Sequence, residues 1–111
     1  MSREDQERVQ DILEVADQLA VMVDKGQDEY FVDFTLQFAI ERALQIIGEA
    51  SSHLSAETRD KYPNIPWKDI IALRILITHI YHRIDHVLIW NIASESVPAL
   101  AATLRAEDTS N

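Results

Sequence analysis

Apolar residues recur along this chain at helical spacing, and almost nothing interrupts them. Between residues 5 and 24, Val9, Ile12, Leu13, Ala16, Leu19, Ala20 and Val23 follow an i, i+3, i+4, i+7 pattern, which places them on one side of a helix. The 111 residues include only two glycines and three prolines, so turn chemistry is scarce. No run of alternating apolar and polar residues is bounded by turn signals, so strands are not expected. The class is all-α, in a single domain of ordinary size.

The punctuation divides the chain. Gly26 follows the first periodic stretch and reads as a helix C-cap, with Gln27 to Phe31 as a short connection. A second helix is expected from about Asp33 to Ser51. Phe34, Phe38, Ala39, Ile40, Ala43, Leu44 and Ile47 spread over a wide arc there, so it meets several neighbours or a second subunit. Glu41, Gln45 and Glu49 interrupt that surface at one-turn intervals as a polar strip. Ser55 is placed to cap a short turn. Pro66 is suited to open a third helix running towards Tyr81, with Asp69 in its first turn. Asp85 caps a fourth, His86 to Ala93, and after a break at Ser94 to Pro98 a short last helix spans Val97 to Leu104. The expected architecture is an up-and-down bundle of four longer helices plus a short extra helix over residues 1–106, with 107–111 as a frayed tail. Trp67 and Trp90 read as core anchors. Tyr30, Phe31, Phe34 and Phe38 read as core or dimer interface.

Charge is distributed unevenly. Of the net −9, residues 1–52 carry −8 (4 Lys/Arg against 12 Asp/Glu), residues 53–90 carry +1 and all four histidines, and residues 91–111 carry −2. Phosphate contacts dominate nucleic-acid affinity, so such a chain does not bind nucleic acid promiscuously and DNA is not an expected partner. RNA, if bound, meets the region of Arg74, Arg83 and the histidines. The acidic face of the first helix is a solvated face or a docking surface for a basic protein. With no cysteine, disulfides, thiolate metal sites and cysteine nucleophiles are excluded. The start has no apolar leader, and no uninterrupted apolar stretch approaches the roughly 18 residues that span a membrane. A cytoplasmic protein is expected.

One segment mixes chemistry into apolar helix: Arg74-Ile75-Leu76-Ile77-Thr78-His79-Ile80-Tyr81. Arg and His are costly in apolar surroundings unless paired or used. Arg74 and Tyr81 nearly eclipse each other, whereas His79 lies about 140° round from Arg74 on an ideal helix. Aiming all three at one point requires a loosened helix end or a π-type bulge between Thr78 and Tyr81. The chemistry such residues support is RNA phosphodiester cleavage. Histidine moves a proton near neutral pH, arginine grips an oxyanion, and the 2′-hydroxyl supplies the nucleophile without a metal. One histidine per chain is thin for acid and base roles together, so a two-fold dimer is expected. The plain structural alternative is an internal pair of Arg74 or His79 with Glu41 or Glu49. His79, His82 and His86, at i, i+3, i+7, have no further donors that would complete a metal shell. His82 and His86 read as solvated or RNA-facing, and His53 as a surface residue.

Three stretches resemble the HEPN superfamily, and within it the HepT-like toxins that pair with minimal nucleotidyltransferase (MNT) antitoxins. They are Phe38 to Ala50, Ile65 to Arg74, and His79-Ile80-Tyr81 continued through Ile84-Asp85 and Val87 to Trp90. The resemblance implies an all-helical homodimer with an Arg-x4-6-His motif at the dimer cleft, here Arg74 and His79. It further implies metal-independent endoribonuclease activity without a cofactor, in a type VII-like toxin–antitoxin system. It places the partner's AMP on Tyr81, where a bulky negative group beside Arg74 would block the RNA phosphate. Glu41, Glu49 and Arg83 are the expected supporting residues. The sequence departs from the pattern at Ile75, where a polar residue, often asparagine, is common. That departure favours the alternative, a catalytically inactive HEPN-fold partner of a nucleotidyltransferase.

Overall fold

The computed structural model describes residues 1–76 and 85–109. Helix α1 (Arg3–Val23) starts at Ser2, whose hydroxyl accepts the Asp5 N–H at 3.1 Å. It ends at Val23 with Asp24 as the C-cap residue. Gly26, expected to be that cap, instead precedes the next helix as its N-cap and is the one residue among those described with positive φ (97°). The expected connection after it is instead a short helix, α2 (Gln27–Val32). Six residues are too few to show a periodicity and too few to hold a helix alone. Burial does what propensity cannot, since Tyr30 is fully buried and the Gln37 amide donates to its carbonyl at 2.9 Å. Asp33 then caps α3 (Phe34–Ser52), accepting the Thr35 and Leu36 N–H groups.

Helix α3 is the centre of the fold. It packs against α1 on one side and α5 (Trp67–Leu76) on the other, the two largest interfaces among the described residues. Ile12 and Leu19 from α1 and Ile40, Leu44 and Ile47 from α3 are completely buried. Each stabilises by roughly 1.5–3 kcal/mol relative to exposure. Between α3 and α5, Ser55 caps the single turn α4 (Ala56–Asp60) through the Thr58 N–H. The side chains of Trp67 and Trp90 are buried, as expected. The Trp67 indole donates to the Arg59 carbonyl at 3.1 Å.

The anticipated break at Ser94 to Pro98 does not occur. Helix α6 (His86–Asn91), capped by Asp85, runs through a π turn (Ile92–Ser96) into α7 (Val97–Thr109) without interruption. Pro98 explains both the expectation and its failure. Its ring has no N–H for the Ser94 carbonyl and would clash with it in a regular helix. The π turn, with the Val97 N–H reaching back to Ile92, inserts the extra residue that accommodates the ring. The architecture is therefore all-α with four long helical rods, two short helices between them, and no strand among the described residues. Residues 86–106 are long and apolar enough, by length and composition alone, to cross a membrane. Their inward side, including Ile89, Ala93, Val97, Leu100 and Leu104, is buried in the core, and α7 packs on α1.

Candidate functional site

Arg74 lies in the last described turn of α5, and its position depends on Gly48. An added Cβ at Gly48 would stand 2.9 Å from the Arg74 backbone nitrogen, 3.0 Å from the Ile70 carbonyl oxygen and 3.3 Å from the Leu73 Cβ. Only glycine lets α5 come this close to α3. A lone glycine inside a helical pattern costs about 1 kcal/mol relative to alanine, and that cost is the sequence signal of a packing requirement.

The close approach sets Arg74 beside Glu49. Arg74 Nη1 is 3.8 Å from Glu49 Oε2, and Glu49 Oε1 is 3.1 Å from His53 Nε2. The Arg74 side chain is 40% exposed and that of Glu49 55%, so this ion pair contributes at most about 1 kcal/mol to stability. Its effect is orientational. It holds a partly exposed guanidinium beside the Glu49 carboxylate. Ile75 is 55% exposed, so the apolar departure from the family pattern faces solvent. His79, Tyr81, Arg83 and the expected helix distortion between Thr78 and Tyr81 lie outside the described residues.

Glu41 sits elsewhere. Residues four apart drift by about 40° per step round a helix, so the strip Glu41, Gln45, Glu49 splits. Glu49 faces Arg74, whereas Glu41 is buried near a second polar cluster that sequence reading missed. There the Tyr30 hydroxyl and His86 Nδ1 form a 2.7 Å hydrogen bond, with Tyr30 packed edge-on to the imidazole and against Trp90. His86, expected to be solvated or RNA-facing, is half-buried and partnered by Tyr30. Burial raises the Glu41 carboxyl above its ordinary value, partly offset by attraction to His86. Burial, then the Glu41 charge, pushes the Tyr30 hydroxyl up. The signal available was an aromatic just after a helix-breaking glycine, but its partner is 56 positions away.

Next to Arg74, across Glu49, a cleft of about 400 Å³ opens between α1 and α3. Arg8, Asp11 and Glu14 line it from α1, and Arg42, Glu49 and His53 from α3. His53 is exposed, as expected, and lies on this cleft.

The family model for "Ribonuclease HepT-like" matches residues 12–107, from the second half of α1 to the second half of α7. The chain belongs to the HepT-like ribonuclease family. It is 41% identical over 91 residues to a protein from Methanocaldococcus jannaschii named "Putative RNase", covering 81% of this chain and 84% of that one. A second M. jannaschii protein of the same description is 38% identical, over 79% of this chain and 74% of its own. "Probable ribonuclease HepT" from Thermococcus cleftensis is 34% identical over 66% of each chain. No solved structure matches. For a HepT-like chain the site around Arg74 has a consistent logic: an arginine brought to the surface by a glycine contact and oriented by a carboxylate.

Proposed function

We propose that this protein is the toxin of a toxin–antitoxin pair, an endoribonuclease that cuts RNA without a metal and is silenced by AMP transfer to Tyr81. The observation that carries the reading is the surface guanidinium of Arg74, seated by Gly48, five positions before His79 in a HepT-like ribonuclease chain. The substrate 2′-hydroxyl attacks the adjacent phosphorus and gives its proton to neutral His79. Arg74 donates hydrogen bonds to the non-bridging oxygens as negative charge builds on them. The P–O5′ bond breaks, and the leaving oxygen takes a proton from a protonated histidine. The products are a 2′,3′-cyclic phosphate and a 5′-hydroxyl.

Base and acid roles together call for two histidines, which a homodimer supplies. An apolar face supports a dimer. Phe34 and Phe38 are 68% and 65% exposed with ring centroids 5.9 Å apart, and Phe31, Val87 and Leu88 are also exposed on α2 and α6, which pack together. Large exposed apolar patches mark interaction sites. Phe38→Glu is expected to convert a dimer into a monomer in multi-angle light scattering; a wild-type monomer would reject the dimer.

His79→Ala and Arg74→Ala are expected to abolish RNA cleavage and growth arrest with the helical circular dichroism retained. Equal toxicity of wild type and His79→Ala would reject the ribonuclease. Such a result would favour the second reading, a non-catalytic partner of a nucleotidyltransferase, for which Ile75 speaks. Incubation with that enzyme and ATP is expected to add AMP units at Tyr81. Mass spectrometry finding no adduct, or one elsewhere, would reject the tyrosine as acceptor.

A further inference from the structure

The cleft between α1 and α3 has two charged groups left over. Arg8 pairs with Asp11 at 3.5 Å and approaches Glu7 at 3.9 Å. Glu49 is shared by His53 and Arg74. Arg42 Nη1 donates to the neutral Gln45 Oε1 at 3.0 Å and has no carboxylate partner among the described residues. Glu14 likewise has no cationic partner among them. An arginine and a glutamate line the same cleft from opposite helices and do not pair with each other. The ligand that complements both carries an anion and a hydrogen-bond donor some distance apart.

A nucleotide with an exocyclic amino group on its base has those two features. Arginine suits its phosphate, and a carboxylate accepts from a base amino group such as cytosine N4. The volume, about 400 Å³, is within the range of small-ligand sites. Position agrees as well. Arg42 and Glu49 are seven residues apart on one side of α3, roughly 10 Å along its axis. Glu49 touches Arg74.

We infer that this cleft is a specificity subsite for the nucleotide adjoining the scissile phosphate, with Arg42 on the phosphate and Glu14 selecting an amino-bearing base. This rests on the ribonuclease reading, and the test separates the two. Titrated into the full-length protein, cytidine monophosphate is expected to bind about tenfold more tightly than uridine monophosphate. Glu14→Gln narrows that gap, and Arg42→Gln weakens both ligands. With single-stranded RNA, Arg42→Gln is expected to raise KM far more than it lowers kcat, and to make the plot of log affinity against log salt shallower by about 0.7. Both side chains are exposed, so melting curves of the variants should match wild type. Equal binding of the two nucleotides by a protein that cuts RNA would overturn the subsite and spare the nuclease. Discrimination between them by a protein that never cuts RNA would leave a nucleotide-binding cleft but overturn both the nuclease and the placement beside a scissile phosphate.

Discussion

Gly48→Ala is the sharpest probe of how α5, and with it Arg74, is positioned. Two opposing terms decide the outcome. Alanine in mid-helix is favoured over glycine by about 0.5–1 kcal/mol, because the unfolded glycine has more freedom to lose. Against this, the new methyl would lie 2.9 and 3.0 Å from two backbone atoms of α5 and 3.3 Å from the Leu73 Cβ. No flexible side-chain end is available to swing away, so relief requires the whole of α5 to move. Overpacking of this kind typically costs about 1–3 kcal/mol, and contacts to backbone belong in the upper half of that range. The net expectation is a loss of about 1–2 kcal/mol, or roughly 4–8 °C in Tm for a domain this size. Thermal melts by circular dichroism read the stability. Displacement of α5 also lengthens the 3.8 Å approach of Arg74 to Glu49, so RNA cleavage should fall further than the unfolded fraction explains. A variant as stable as wild type, or more so, would mean that helix propensity outweighs the contact and that α5 is free to shift.

Three other substitutions probe the buried polar groups. Asp5 is buried and accepts the Ser55 N–H and the Ser55 and Thr58 hydroxyls at 3.1, 2.6 and 2.5 Å, the Ser55 and Thr58 hydroxyls chiefly holding its carboxyl below the usual 3.8. Its stabilisation is therefore full above that ordinary value and disappears as pH falls through the lowered one. Asp5→Asn should cost about 2–4 kcal/mol in urea melts at neutral pH and flatten the acid-side loss; an unchanged acid limb would sink that assignment. For Glu41 the sign reverses, since a raised folded value makes stability fall as pH climbs from 4.5 towards it. Glu41→Gln should match or exceed wild type at pH 7, and a large loss there would show the charge to be stabilising. Tyr30→Phe should cost about 1 kcal/mol and alter the His86 imidazole shifts in NMR, whereas unaltered shifts would deny the 2.7 Å bond.

What could be read from the sequence was local. Ser55 and Asp85 cap helices where expected, and Asp33, at the expected start of a helix, proves to be its cap, because a cap is decided within three residues. Of the internal pairs left open for Arg74 or His79 with Glu41 or Glu49, the structure shows Arg74 with Glu49. The unread features are relations between distant segments. Helix α2 exists because Tyr30 finds His86 and Trp90. A glycine inside α3 signals that something packs close there, but which element comes close is defined by α5. Pro98 looked like a break because a proline states only that a regular helix cannot continue, and a π turn is one way of continuing irregularly. The polar strip from Glu41 to Glu49 failed for a geometric reason, the drift that sends its ends towards different neighbours.

The acidity of the chain bears on how it can meet an RNA. At physiological salt the Debye length is about 8 Å, so most of the negative charge on the outer face of α1 does not reach a phosphate held at Arg74. At long range the field of a −9 protein repels RNA, so electrostatic steering is lost and non-specific grip is weak. Affinity must then come from short contacts. On the described surface these are few, with Arg74 next to Glu49 and Arg42 across the cleft from Glu14. Each cation has a carboxylate in its surroundings, which lowers its attraction for any passing anion. In the proposed subsite the same carboxylates would accept hydrogen bonds from a nucleotide that fits. If the cleft is the proposed subsite, this arrangement gives up bulk affinity and gains discrimination, because closing on a wrong nucleotide would cover a carboxylate without a hydrogen-bond partner while a right one would satisfy it.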